Sequence, residues 1–226
     1  MKLSRMALIL MGLFLAREAL AYLPSARGLL RRVAQKHETA PHFQVSGKIT
    51  VTDEAHPNGQ EGTASFSVKN PEKCEAKFNF GPDQTFVATV DHGKIDASQG
   101  ELTPSLRAWL HQSCILLSIH GIGARPETPF IDALSPLGIK LQPVSLDRLD
   151  KTIAYVIGAP PRNTDRPQVW IDKQSLAMIR LITNDQNEHH DLRLYPPNKT
   201  INHLEIPGKW ILFSKELERV RFIVEQ

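Results

Sequence analysis

The 226-residue sequence has only two cysteines, Cys74 and Cys114. Two cannot supply the paired C-x-x-C ligands of a structural zinc site. They leave one disulfide or two separate buried thiols, and an oxidising compartment favours the bridge. No G-x-S-x-G, H-E-x-x-H, G-x-x-x-x-G-K or G-x-G-x-x-G occurs, so the local signatures of several hydrolase, zinc-protease and nucleotide-binding sites are missing. No enzyme, cofactor or metal is expected. Neither sign of charge prevails: Lys and Arg number 27 against 24 Asp and Glu. Residues 1–21 hold Lys2, Arg5, Arg17 and Glu18, so the rest of the chain is close to neutral. No basic stripe is present, and nucleic acid is not an expected partner. Aromatic residues make up 7%, but the hydrophobic fraction of 41% is ample for a core and too high for a disordered chain.

An apolar run, Met6–Ala16, follows the positive start at Lys2 and Arg5, and Arg17 and Glu18 end it. A spanning helix needs about 20 apolar residues, so the run is too short. Ala19-Leu20-Ala21 then supplies the small residues of a signal-peptidase site. The expectation is a cleaved signal peptide at 1–21 and a single domain at 22–226. No cysteine follows the run for lipid attachment, so the product is expected to be exported and free of an anchor.

Hydrophobic periodicity organises the remainder. Residues 24–38 read as a helix, with Pro24 in its first turn and Leu29, Leu30 and Val33 on one face. The period then becomes two: Phe43, Val45, Ile49 and Val51 alternate with polar residues, then Ala64, Phe66 and Val68, then Cys74, Ala76, Phe78 and Phe80. His56–Gly59 is a turn, and Asp91–Lys94 a hairpin within 85–97. Residues 105–119 have no internal Gly or Pro and carry an apolar stripe of Leu106, Trp109, Leu110, Cys114 and Leu117. Residues 130–134 fit either a short helix or a loop. Strands resume at 139–146, 152–158, 167–172, 177–183, 190–195, 201–206, 209–214 and 217–224. The absence of βαβ alternation excludes a parallel sheet. The predicted fold is mainly β (α+β): a large curved antiparallel sheet, or incomplete barrel, of about ten to twelve strands, covered by an N-terminal helix and a central helical lid. His189 and His190 are adjacent, and neighbours on a strand point to opposite faces. With His203 they read as an exposed polar edge and not as a metal site.

Helix, strands, helical insertion and more strands behind a signal peptide form an order that resembles the periplasmic lipoprotein carriers, the LolA-like and LolB-like proteins of Gram-negative bacteria. Val68-Lys69-Asn70-Pro71 resembles the family's K-x-P step, and Asp91-His92-Gly93-Lys94 its D-G-K hairpin. Trp170-Ile171-Asp172-Lys173, continuing to Arg180, resembles the W-x-D … R hairpin, with Tyr155–Gly158 before it. The family's lid-latching arginine after K-x-P is replaced by Glu75, which lacks the guanidinium's fork of donors. The chain therefore resembles a diverged branch, in which Cys74 and Cys114 would staple the third strand to the helical insertion. The resemblance implies a carrier that shields acyl chains of lipoproteins or lipids in an apolar cavity and moves them toward the outer membrane. The implied lining is Phe43, Val45, Phe66, Phe78, Phe80, Trp109, Leu110, Leu117 and Phe130. Membrane proteins of the envelope are the implied further partners, and a monomer is expected. The alternative is a sensor or regulatory interaction domain on the same fold, with no transport role.

Overall fold

The strands among the described residues alternate inward and outward side chains, and one buried helix lies against their inner face. The computed structural model describes residues 23–36, 42–70, 73–91, 94–122, 128–185, 188–201 and 204–225. The expected signal peptide and His203 lie outside the described residues.

Helix α1 (Ala26–Lys36) starts at Ser25, whose hydroxyl accepts from the Gly28 N–H at 3.1 Å. It buries Ala26, Leu29, Leu30, Val33 and Ala34, one full apolar face. Strands β1 (Phe43–Val51), β2 (Gln60–Asn70), β3 (Lys73–Asn79), β4 (Thr85–Asp91) and β5 (Lys94–Gln99) follow. Helix α2 (Pro104–Ile122) begins with proline at its first turn, where a missing N–H costs nothing, and Thr103 Oγ1 accepts from the Leu106 N–H. Helix α3 (Thr128–Leu134) runs into a 3-10 turn at Ser135–Leu137, so the helical alternative for 130–134 holds. The second half is all strand: β6 (Val144–Leu149), β7 (Thr152–Ile157), β8 (Gln168–Asp172), β9 (Met178–Asp185), β10 (Glu188–Ile201), β11 (Leu204–Ser214) and β12 (Leu217–Val224).

All twelve form one antiparallel open sheet in the order β5-β4-β3-β2-β1-β12-β11-β10-β9-β8-β7-β6. The chain starts in the middle at β1 and walks outward to one edge at β5. It crosses to the opposite edge through α2 and α3, and walks back to β12 beside β1. The seam between the halves is the β1–β12 ladder, with Gly47 opposite Val224 and Ile49 opposite Phe222.

Several boundaries differ from the sequence expectation, beginning with Pro24, which precedes α1 and is not in its first turn. The strand predicted at 139–146 begins only at Val144, because Pro143 has no N–H to give a ladder. Pro196-Pro197-Asn198, expected as a break, lies inside β10 as a register shift between Tyr195 and Asn198. The bulge takes up two residues that cannot donate. Gly208 on β11 lets the two backbones approach there, since a Cβ on it would run into the Pro197 carbonyl oxygen. The segments 201–206 and 209–214 therefore do not form separate strands: β11 runs through Pro207 and Gly208.

The inner face carries the main core, and a smaller core covers the outer face over β7 and β8. There Ala154, Val156 and Trp170 pack with Ala159 of the 158–167 connection. That connection is pinned by Gln168 Nε2, which donates to the carbonyls of Asn163 and Arg166, and by the Asp147 carboxylate, which accepts from the Arg162 N–H.

Gly47 is the tightest point of the seam: a Cβ there would collide with the Ile223 carbonyl oxygen of β12. Gly47→Ala is expected to destabilise the fold by about 1–3 kcal/mol, the usual cost of overpacking. Urea unfolding reads this as a lowered midpoint at unchanged slope.

Candidate functional site

Helix α2 lies on the inner face and packs against β2, β3, β9, β10, β11 and β12, with α1 and α3 against it in turn. From Ala108 to Leu117 every residue except His111 is buried. The helix is therefore enclosed nearly all round, whereas the sequence pattern suggested a one-sided stripe; α1 and α3 bury its far side. A helix enclosed in this way belongs to the core.

The expected lining residues converge here. Val45, Phe66, Phe78, Trp109, Leu110 and Leu117 are completely buried, and Phe43 nearly so. Trp109 is central: its ring lies 5.4 Å from Phe66, 5.5 Å from Phe222 and 6.2 Å from Phe78. Trp210, not anticipated from the sequence, joins at 5.2 Å from Phe222 and donates its Nε1–H to the Pro207 carbonyl. Phe80 is set apart. It falls just past β3, half-buried, and meets Phe86 edge-on at 6.0 Å. Phe130 lies on α3, and its side chain is outside the described residues. At the β6 edge the inner face stays open to solvent, with Leu146 39% and Ile153 44% exposed.

Cys74 and Cys114 form a disulfide, Cα to Cα 5.7 Å, that ties β3 to α2. On the helix's other flank Gln112 Nε2 donates to Thr183 Oγ1 of β9 at 2.5 Å. The buried polar atoms of α2 that have no hydrogen-bond partner among the described residues include Trp109 Nε1, Gln112 Oε1 and Ser113 Oγ.

The outer face holds a charged cluster over β8 to β11. Arg180 grips Asp191 through Nε and Nη2, both at 2.7 Å, and Arg193 reaches the same carboxylate at 2.8 and 2.9 Å. Both members of the first pair are buried. Arg180 lies over the Trp170 ring at 4.8 Å, and Arg193 over Phe213 at 4.6 Å. Burial pushes the Asp191 carboxyl up, but the hydrogen bonds and charges of Arg180 and then Arg193 outweigh it and hold the group below the usual carboxylate range. Beside the cluster is a pocket of about 340 Å³ whose wall includes His189, Lys215, Asp165 and Glu216. His189 and His190 part across the sheet as strand neighbours must. His190, expected at an exposed edge, is instead buried on the inner face, where its cross-strand neighbours are Thr183 and Ser214. Among the described residues no group of three or more His, Cys, Asp or Glu is placed to hold a metal, and no helix is long and apolar enough to cross a membrane.

The fold is similar to that of solved structures. A LolA superfamily protein from Nitrosomonas europaea aligns with a TM-score of 0.53 at 13% identity, covering 90% of this chain and 93% of that one. A domain named for outer membrane lipoprotein sorting, from Vibrio parahaemolyticus, aligns with a TM-score of 0.50 at 7% identity over 87% of both chains. The fold is LolA-like. No protein-family model and no curated protein sequence matches the chain.

Within the LolA-like fold, the motifs acquire physical roles. In the W-x-D … R stretch, Trp170 and Arg180 are directly opposed across β8 and β9, so the pattern encodes the stacked pair. Asp172 caps the intervening turn, accepting from the Gln174 N–H and the Ser175 hydroxyl. Glu75 alternates outward, opposite Ser67 and Thr89, and so faces away from α2. The inward neighbour is Cys74, and the link to the helix at this point is its disulfide. Asp191 and Arg193 share a face of the strand expected at 190–195, but the pattern does not show that the buried Arg180 of the neighbouring strand is their partner.

Replacing both cysteines by alanine is expected to cost up to about 4 kcal/mol, the chain-entropy value of a loop of this length. Calorimetric melting of Cys74→Ala/Cys114→Ala measures it. Asp191→Ala leaves Arg180 buried without a counter-charge and is expected to cost about 3–5 kcal/mol. Because the folded carboxyl titrates below its unfolded value, the pair's contribution is complete above about pH 4 and is lost as pH falls through the lower folded value. Urea midpoints of wild type and variant should differ by a constant amount from pH 5 to 7 and converge in stronger acid. A gap that persists unchanged at the lowest pH would contradict this origin.

Proposed function

We propose that the protein is a carrier of acyl chains, from lipoproteins or lipids, which it shields against α2 on the inner face. On this reading it is exported through the signal peptide at 1–21 and works in the periplasm, handing its cargo toward the outer membrane. One observation carries the proposal. The sheet is open, so β5 and β6 share no ladder, and the inner face is closed by a helix. A closed barrel has a radius set by strand number and shear. Here the halves share a ladder only at β1 and β12; across the inner face the space between them is filled by side-chain packing, and apolar packing exchanges for other apolar matter.

The energetics suit transfer better than storage. Burying a twelve-carbon chain is worth roughly 10 kcal/mol at 0.8 kcal/mol per methylene. Separating α2 from Phe66, Trp210 and Phe222 to admit it gives up contacts of similar kind. The net affinity is the difference, which leaves the cargo free to move on to a membrane that has no such cost.

The complete burial of Trp109, Phe66 and Phe78 favours a second reading, a regulatory interaction domain on the same fold with a permanently filled interior. Mass spectrometry of protein purified from the periplasm separates the two. Copurified long acyl chains are expected. A lipid-free protein whose tryptophan fluorescence does not respond to added acyl ligand would establish the second reading and end the first.

A further inference from the structure

Three α2 residues with orphaned polar atoms share one side of the helix. Trp109, Gln112 and Ser113 stand at i, i+3 and i+4 and so form one strip of the helix. Each is at most 1% exposed. Around them the interior is apolar, with Phe66, Trp210 and Phe222 in ring contact with Trp109. The indole Nε1 is a donor only, the Gln112 Oε1 an acceptor only, and the Ser113 hydroxyl either. Gln112 Nε2 is engaged by Thr183 Oγ1, which orients the amide and leaves Oε1 as the open acceptor. Such atoms are few in a core built only to pack, since each buried polar group without a partner costs free energy. Leu and Phe would fill the same volume without that cost.

The complement of the strip is a group that accepts one hydrogen bond and donates another while joined to an apolar chain. A secondary amide does both: its carbonyl takes the indole and hydroxyl donors, and its N–H supplies Gln112 Oε1. An ester offers acceptors alone and would leave Gln112 unmatched. We propose that Trp109, Gln112 and Ser113 read the amide of an N-acylated ligand and select it over an O-acyl ester. This rests on the acyl-carrier reading and adds to it the chemical class of the linkage.

The test uses N-ethyldodecanamide and ethyl dodecanoate, which share chain and shape and differ by N–H against O. Each is titrated into the exported protein, with tryptophan fluorescence as the readout. Wild type is expected to bind the amide about tenfold more tightly, the effect of satisfying one otherwise unpaired buried acceptor. Gln112→Met and Ser113→Ala both remove polarity from an apolar surrounding, and each is expected to shrink the amide-to-ester ratio toward one with ester affinity unchanged within about twofold. A purely structural role for these residues would shift both ligands together. Equal binding of the two probes by wild type overturns the selectivity and leaves the carrier standing. A tenfold ratio that survives in both variants overturns the assignment to this strip. Failure to bind either probe ends both proposals. A crystal structure of the amide complex with ordered water alone on the three atoms would likewise overturn the inference.

Discussion

The fold depends on one topological constraint: the chain leaves the sheet at β5, on one edge, and must re-enter at β6, on the other. The crossing has to lie over a face of the sheet, and only the apolar face can repay it. Pro104 to Ile122 form the helix that makes most of this passage. Its buried positions meet both halves, so α2 contacts β2 and β3 on one side and β9 to β12 on the other. The seam at β1 and β12 joins the same halves by backbone hydrogen bonds. The molecule is thus closed twice, once rigidly through a ladder and once softly through side chains. The soft closure is where a ligand can compete.

The location of the disulfide follows from that division. It fixes α2 to β3, while Gln112 ties the same helix to β9 by a single neutral hydrogen bond. One attachment is covalent and the other is worth about 1 kcal/mol. Any widening of the interior is therefore expected toward β9 and the β6 edge, where Leu146 and Ile153 already meet solvent. On the carrier reading the disulfide would keep α2 with the first half of the sheet.

Much of this was legible in sequence, for identifiable reasons. Strict alternation in Phe43–Val51 and Cys74–Phe78 places those side chains inward without reference to any partner strand. Pattern failed where backbone chemistry competed with hydrophobicity. Ile139 and Leu141 look like strand residues, but Pro143 delays the ladder; Pro196 and Pro197 look like a break, but a bulge absorbs them. Sequence could point to Trp109 as apolar and helical. It could not distinguish a residue lining a space from one filling it, since both are apolar and inward. The strip of Gln112 and Ser113 was invisible for a related reason: polar residues on a helix read as solvent-facing until α1 and α3 are seen to enclose the far side.

The charged cluster on the outer face completes the argument. Arg180, Asp191 and Arg193 cross-link β9 and β10, and Trp170 and Phe213 extend that grip to β8 and β11. None of these contacts involves the inner face. The second half of the sheet is therefore held by a network that an exchange of contents beneath α2 would leave intact. Asp191 carries two guanidinium partners, so the carboxylate stays ionised and the network persists through ordinary pH. A sheet that must tolerate changes on one face gains by placing its strongest directional interactions on the other. On the proposed carrier reading, the ion cluster of the outer face would hold the sheet while the polar strip of the inner face meets the ligand.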